Sequence, residues 1–338
     1  MNGCQARDFQ RVLHWYHYAD VMIASAWPLG DLPIAEPATS DEPAVYIRLT
    51  ETAPREPDKA DWVHNWLTVR GGLFLALART TDGFLLRFPD LVDFTISTDR
   101  RQITAWPAAV TGIETLRHLL LDHVLPRVLA EHGRLILHAG AVRLGDKAIA
   151  FVGDTGSGKS TLTASLDAAG YSLLSDDSLV LTRGNKFTPA LATYPSLRLW
   201  PDAVSGLYPQ PPALASVAHY TTKQRVMMPD VAAAKDLLAL AALYVLTPET
   251  ETVAPSISVT RLKPREACMA IIGNSFRLDL TDRHHVAEVF ADACRIAEHL
   301  PAFSLAYPRE FARLPEVHEA ILNSLENEPI GGTSNLAQ

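Results

Sequence analysis

The chain has 338 residues, 48% of them hydrophobic and 20% charged, and its 30 Lys and Arg against 38 Asp and Glu leave a formal charge of −8. That length predicts two domains, or one large domain with an appendage, and the composition is far from the low hydrophobicity and high net charge of disordered chains. The acidic balance excludes a general nucleic-acid binder, which needs a basic face to displace counterions from phosphates.

Cys4, Cys268 and Cys294 are too few and too scattered for a disulfide framework, and no Cys-x-x-Cys pair suggests structural zinc, so a reducing cytoplasm is expected. The opening Met1 to Asp8 lacks the apolar stretch of a signal peptide, and the longest later apolar run, Leu237 to Leu246, is too short to span a bilayer. No membrane partner is expected.

In chain order, short strands come first: Val21–Ala24, Ala44–Leu49, Trp66–Val69, Leu73–Leu77, Phe84–Phe88 and Asp93–Ile96. Pro28, Pro33, Pro37 and Pro43, with Asp31, Glu36, Asp41 and Glu42, predict a loop between the first two. Residues 1–110 thus read as a β-rich N-terminal domain. The period then turns helical, with Ile113, Leu116, Leu120, Val124 and Leu125 on one face and Pro126 as a kink, before Gly133. From residue 111 to 328 the pattern alternates as in βαβ units: Leu135–Leu137, Ala148–Val152, a helix Lys159–Ala169, then Tyr171–Leu174. Leu240–Leu246 reads as strand or buried helix, with strand favoured at its end. Pro209, Pro211 and Pro212 mark an irregular surface stretch, and residues 329–338 read as a frayed tail.

Gly153-Asp154-Thr155-Gly156-Ser157-Gly158-Lys159-Ser160 fits G-x-x-x-x-G-K-[ST] and lies where that motif works, after a strand and at the start of a helix. Its glycines let backbone N–H groups turn toward phosphate oxygens, and Lys159 reaches the β and γ phosphates. Ser160 offers a hydroxyl to Mg²⁺, and Thr161 continues the loop into the helix, whose N-terminus favours negative charge. ATP is therefore expected at Gly153 to Thr161.

The next strand runs into Ser175-Asp176-Asp177. Adjacent carboxylates repel and resist burial, so the strand needs open solvent or a cation there. If this strand lies beside the loop strand, the acids reach the metal and the γ-phosphate, one as metal ligand and one as proton acceptor. His138 ends the strand before the loop strand. Arg198, in Tyr194-Pro195-Ser196-Leu197-Arg198-Leu199-Trp200, stacks on Trp200, pairs with a core carboxylate or contacts phosphate. Lys223 and Arg225 form either a mobile clamp on the nucleotide or a solvated surface. Asp279, Asp282, His284 and His285 read as a helix start capped by Thr281 or Asp282, and no metal is assigned there.

Together, Leu137-His138-Ala139-Gly140, the glycine loop and Leu173-Leu174-Ser175-Asp176-Asp177 resemble the core of the HPr kinase/phosphorylase family, whose nucleotide-binding fold is related to ATP-dependent phosphoenolpyruvate carboxykinase. The resemblance implies His138 as a catalytic residue near the γ-phosphate, Lys159 and Ser160 holding phosphate and Mg²⁺, and Asp177 accepting the substrate proton. Asp176 is the candidate metal ligand. The family's Glu-x-Arg-Gly element has only Ser196-Leu197-Arg198-Leu199 as counterpart, and no Pro-Gly-Arg-Asn segment occurs, which points away from HPr itself and from the phosphorylase reaction. Tyr16-His17-Tyr18-Ala19, Tyr194 to Pro201 and Leu305-Ala306-Tyr307-Pro308-Arg309 resemble the smaller HPr-kinase-like proteins, some of which phosphorylate a serine of a lasso precursor peptide.

The expected architecture is α/β: a P-loop domain of HPr kinase type behind a β-rich domain. The expected function is an ATP- and Mg²⁺-dependent serine kinase acting on a peptide or protein, with a homo-oligomer compatible. A nucleotide-binding regulator with little catalysis and a small-molecule kinase are the alternatives.

Overall fold

The computed structural model describes residues 13–37, 42–50, 59–68, 70–184, 187–194, 196–210, 212–226, 237–247 and 256–326. The sequence expectations at Met1 to Asp8 with Cys4, at Asp41, Val69, Pro195 and Pro211, and for the tail 329–338 lie outside the described residues. The chain divides into two compact units, Met1–Thr111 and Gly112–Gln338.

The first unit is one eight-stranded sheet. Its strands are β1 (His14–Tyr18), β2 (Val21–Ser25), β3 (Val45–Leu49), β4 (Asp61–Leu67), β5 (Leu73–Thr80), β6 (Gly83–Phe88), β7 (Val92–Ser97) and β8 (Gln102–Pro107). They lie in the order β1-β2-β3-β8-β7-β6-β5-β4, with β3 parallel to both its neighbours. Tyr18, Ile23, Ile47, Leu75, Leu77, Leu86, Phe88, Phe94 and Ile96 are among its fully buried side chains. β1 and β8 were not expected. β1 mixes Trp and Tyr with two histidines, and β8 carries Gln and Thr outward, so neither shows a plain apolar run.

The second unit opens with α1 (Ile113–Leu119), a π-helical turn (Leu120–Val124) and α2 (Leu125–Ala130). Pro126, expected as a kink, sits in the first turn of α2. It has no N–H to give, and the backbone widens just before it so that the Leu125 N–H bonds the Leu120 carbonyl.

The sheet that follows contains β9 (Leu135–Leu137), β10 (Gly140–Leu144) and β11 (Lys147–Val152); after α3 (Lys159–Ala168) come β12 (Leu173–Ser175), β13 (Leu179–Leu181) and β14 (Pro189–Ala192). β15 (Leu197–Leu199), α4 (Pro201–Leu207), β16 (Leu214–Ser216) and β17 (Gln224–Val226) build a small three-stranded sheet and its helix. β18 (Leu238–Leu246), β19 (Ser258–Arg261), α5 (Pro264–Gly273), α6 (Arg283–His299), β20 (Ala302–Ala306) and α7 (Leu314–Glu326) complete the unit.

The main sheet runs β12-β10-β11-β18-β14-β13-β9, with β20 beside the far end of β18 and β19 beside β20. β18 is strand throughout, not helix. Ala241 is an extra residue opposite Ala148 and Ile149, so Leu238 and Leu240 pack on one core while Ala242, Tyr244 and Leu246 pack on the other. Both faces are covered, as parallel strands require.

Two expectations need correction. His138 does not end the strand that precedes the loop strand, because β10 comes between them in the chain. Nor is β12 beside β11, because β10 lies between them in the sheet. It is antiparallel to β10, which is antiparallel to β11, so β11 and β12 still run the same way and end at one edge of the sheet. The sheet is also curled. β9, at one edge, passes into β10, next to the other edge, through His138 and Ala139 alone, while Asp176, Asp177 and Ser178 lead from β12 across to β13. The two edges therefore meet at a seam, and the two crossing loops form it.

Candidate active site

The glycine loop leaves β11 at Gly153 and enters α3 at Lys159. Gly153, Gly156 and Gly158 have φ of 147°, 84° and 92°, which side chains rarely tolerate. A Cβ at Gly153 would also press on the Leu246 carbonyl at 3.0 Å. Lys159 is 6% exposed, and its ammonium donates to the Gly153 and Asp154 carbonyls at 2.7 and 3.2 Å. Burial lowers its pKa, against the pull of Asp177 and Asp176. Ser157 is buried, and its hydroxyl has no partner among the described residues. An unpartnered hydroxyl and a buried ammonium satisfied only by carbonyls suit a loop that closes on an anion.

The loop's floor comes from elsewhere in the unit. The Gly153 N–H donates to Asn274 Oδ1 at 3.1 Å, and the Asn274 side-chain amide donates to the Ala270 carbonyl at 2.8 Å. The Asn274 carbonyl accepts the His138 N–H at 2.7 Å. Asn274, just past α5, thus ties the loop to the histidine. Sequence reading missed it, since an Asn after a helix is an ordinary end signal.

Across the seam, His138 Nδ1 lies 3.1 Å from the Asp177 carbonyl oxygen. A carbonyl only accepts, so Nδ1 carries the proton and Nε2 is left as an acceptor. Burial, then the charge of Lys159, pushes the ring down to about 4, so it is neutral at pH 7.

The acidic pair splits into unlike halves. Asp176 is 1% exposed. Its Oδ2 accepts the Arg198 backbone N–H at 2.9 Å, its Oδ1 has no hydrogen-bond partner, and the Ser160 hydroxyl lies near enough to favour its ionised form. Burial and the neighbouring Asp177 charge push it well above the usual carboxylate range. Asp177 is 21% exposed at its side chain and is ion-paired with Arg198. Burial pushes it up, but the Arg198 guanidinium, with the nearby Lys223 charge, holds it below the usual range.

Arg198 is 4% exposed and links three groups. Its Nη1 meets Asp177, while its Nη2 meets Asp122 Oδ1 at 3.0 Å and the Tyr194 hydroxyl at 2.8 Å. It stands over the Tyr194 ring, not over Trp200. Tyr194 donates to Asp122, and His118 Nδ1 lies 2.5 Å from the other Asp122 oxygen. Asp122, on the π-helical turn, was also missed. The signal was a lone carboxylate in the apolar run Leu120-Leu121-Asp122-His123-Val124.

Of the two clamp residues, Lys223 lies over the Trp200 ring, 5.5 Å from its centroid, and is near enough to act on Asp177, His138 and Lys159. Arg225 faces Arg198 in the β15–β17 register and points to Glu114, 3.8 Å away. Asp282 caps α6 by accepting the N–H groups of His284 and His285, Asp279 holds Thr281, and His285 lies 3.6 Å from Glu131.

The donor set fits Mg²⁺. The free Asp176 Oδ1 and the Ser160 hydroxyl beside it are hard oxygens, and Mg²⁺ commonly takes one or two protein oxygens and completes its shell with water and phosphate. With the loop, this edge of the sheet has the parts to hold an anionic chain, a divalent cation and a hydroxyl beside an ionised carboxylate.

No family model matches the chain, and no curated protein matches it. Among solved structures it is similar to the Hpr(Ser) kinase/phosphatase from Coxiella burnetii, with 11% identity, 57% of this chain and 99% of that chain covered, and a TM-score of 0.29. Among the described residues no helix is long and apolar enough to cross a membrane.

Proposed function

We propose that the second unit is an ATP- and Mg²⁺-dependent kinase that transfers the γ-phosphoryl group to a serine hydroxyl of a peptide or protein, in the first instance a ribosomally made precursor peptide of lasso type. One observation carries the reading: the Ser160 hydroxyl, at the loop's end, lies near enough to the Asp176 carboxyl, just past β12, to act on its ionisation.

In this reading the loop N–H groups and Lys159 hold the β and γ phosphates, Lys159 giving up its contacts to the Gly153 and Asp154 carbonyls. Ser160 and Asp176 would hold Mg²⁺, which would supply charge neutralisation for the phosphate oxygens. Asp177 orients the acceptor hydroxyl and takes its proton as the new O–P bond forms and the bond to the β-phosphate oxygen breaks. A carboxylate kept ionised by Arg198 is a weak base, and that suffices, because phosphoryl transfer is mainly positioning and charge stabilisation. Arg198 keeps Asp177 in place. His138, neutral, offers hydrogen bonds at the seam and no charge.

The test is incubation with labelled ATP and candidate precursor peptides, read by mass spectrometry. A phosphorylated serine is expected; label released only as free phosphate with every peptide defeats the kinase reading.

A further inference from the structure

Beyond the motif, a cation from the far end of the chain reaches the glycine loop. Arg309, which follows β20, lies against Gly158: a Cβ built there would fall 2.5 Å from Arg309 Nη1 and 3.1 Å from the Tyr307 hydroxyl. Gly158 is the residue before α3, in the left-handed region at φ 92°. The guanidinium is held on one side only. Its Nη2 donates to the Thr247 carbonyl at 2.9 Å, and its plane lies over the Tyr307 ring, 4.5 Å from the centroid. Nη1 is buried and makes no hydrogen bond, and no carboxylate among the described residues pairs with the group. Tyr307 itself is 5% exposed, its phenol pushed up by burial while the adjacent guanidinium opposes the shift.

A buried, unpaired guanidinium donor is costly unless an anion completes it. Here it borders a second unfilled donor, the buried Ser157 hydroxyl of the same loop. Both point to one ligand chemistry. Thr247 directly follows β18 and Tyr307 directly follows β20, the strands beyond the loop strand, so the rigid sheet sets the arginine's position.

We infer that Arg309 is a phosphate-chain ligand of the nucleotide, its Nη1 donating to a phosphate oxygen held by the loop. This rests on the nucleotide reading of residues 153–160 and adds to it a residue outside the motif. The contact is to phosphate, not to base or ribose.

The experiment is calorimetric titration of the full chain with MgATP and, separately, with Mg-tripolyphosphate, which has no base or sugar. Arg309→Gln should weaken both by the same factor, about ten- to a hundredfold, the range of a hydrogen bond to a charged group. Arg309→Lys should fall between, since it keeps the charge and loses the planar fork. Lys159→Ala is the control. A wild-type chain that binds neither compound overturns the loop reading itself. Wild-type binding that is lost in Lys159→Ala and unchanged in Arg309→Gln overturns only the Arg309 assignment. So does a loss for MgATP with none for tripolyphosphate, which would mean a contact to base or ribose. Should Arg309→Gln not fold, Arg309→Lys decides alone, and equal affinity to wild type for both compounds defeats the inference.

Discussion

Arg198 joins Asp177 to Asp122 and Tyr194 with almost no exposure to water, so removing either end leaves a buried charge without its partner. Asp122→Asn should therefore destabilise the second unit by about 3 kcal/mol, measured as a lower urea midpoint. Asp177→Asn, at the more exposed end, should cost less stability. In the proposed kinase it should leave ATP binding intact and cut phosphopeptide formation by a factor on the order of a hundred or more. Equal activity in that variant would remove Asp177 from the chemistry. His138 makes a separate prediction. Its folded pKa of about 4 lies below the ordinary value of 6.5, so the unfolded chain binds the proton first. Stability is then full above pH 6.5 and declines as pH falls toward 4. Between pH 7 and pH 5 this one ring should account for on the order of 2 kcal/mol. Urea unfolding at the two pH values should show the decline, and His138→Asn should reduce it, leaving the part due to the buried His123.

Among the elements, the contact between β10 and α3 sets how deep the helix sits. Gly140 has no Cβ, and one built there would lie 2.3 Å from Thr163 Oγ1, whose hydroxyl donates to the Lys159 carbonyl. Gly140→Ala should cost about 1–3 kcal/mol by overpacking. Thr163→Ala should recover part of it, a coupling that a double-mutant cycle of urea midpoints would reveal. The glycine loop and α3 were legible in the sequence because local rules fix them: a strand, a turn of three positive-φ glycines, a helix start. β10 was not. It is too short and too close to β11 to show a period of its own, and its partners come from both sides in sequence. β18 was ambiguous for a concrete reason, since the extra Ala241 breaks the two-residue alternation halfway. Asn274 and Asp122 act through contacts that only the fold creates.

Across the whole molecule, every residue of the candidate site belongs to Gly112–Gln338, and that unit has its own cores. Residues 112–338 produced alone should bind MgATP as tightly as the full chain, which titration of both would check. A large loss would mean that the first unit takes part in nucleotide binding. The curled sheet also explains how residues that a βαβ reading put together come together by another route. His138 and Asp177 are neighbours because the loops that leave the two edge strands cross, not because those strands pair.

β18 sits at the centre of that sheet, with β11 on one side and β14 and β20 on the other. Each partner is distant in sequence, so the sheet closes only through long-range pairing, which slows folding. On a translating ribosome the glycine loop would emerge well before the strands that brace it. A nascent chain would stay unable to hold a nucleotide until nearly its last helix had left the exit tunnel, and truncation near the end would abolish binding far from any loop residue.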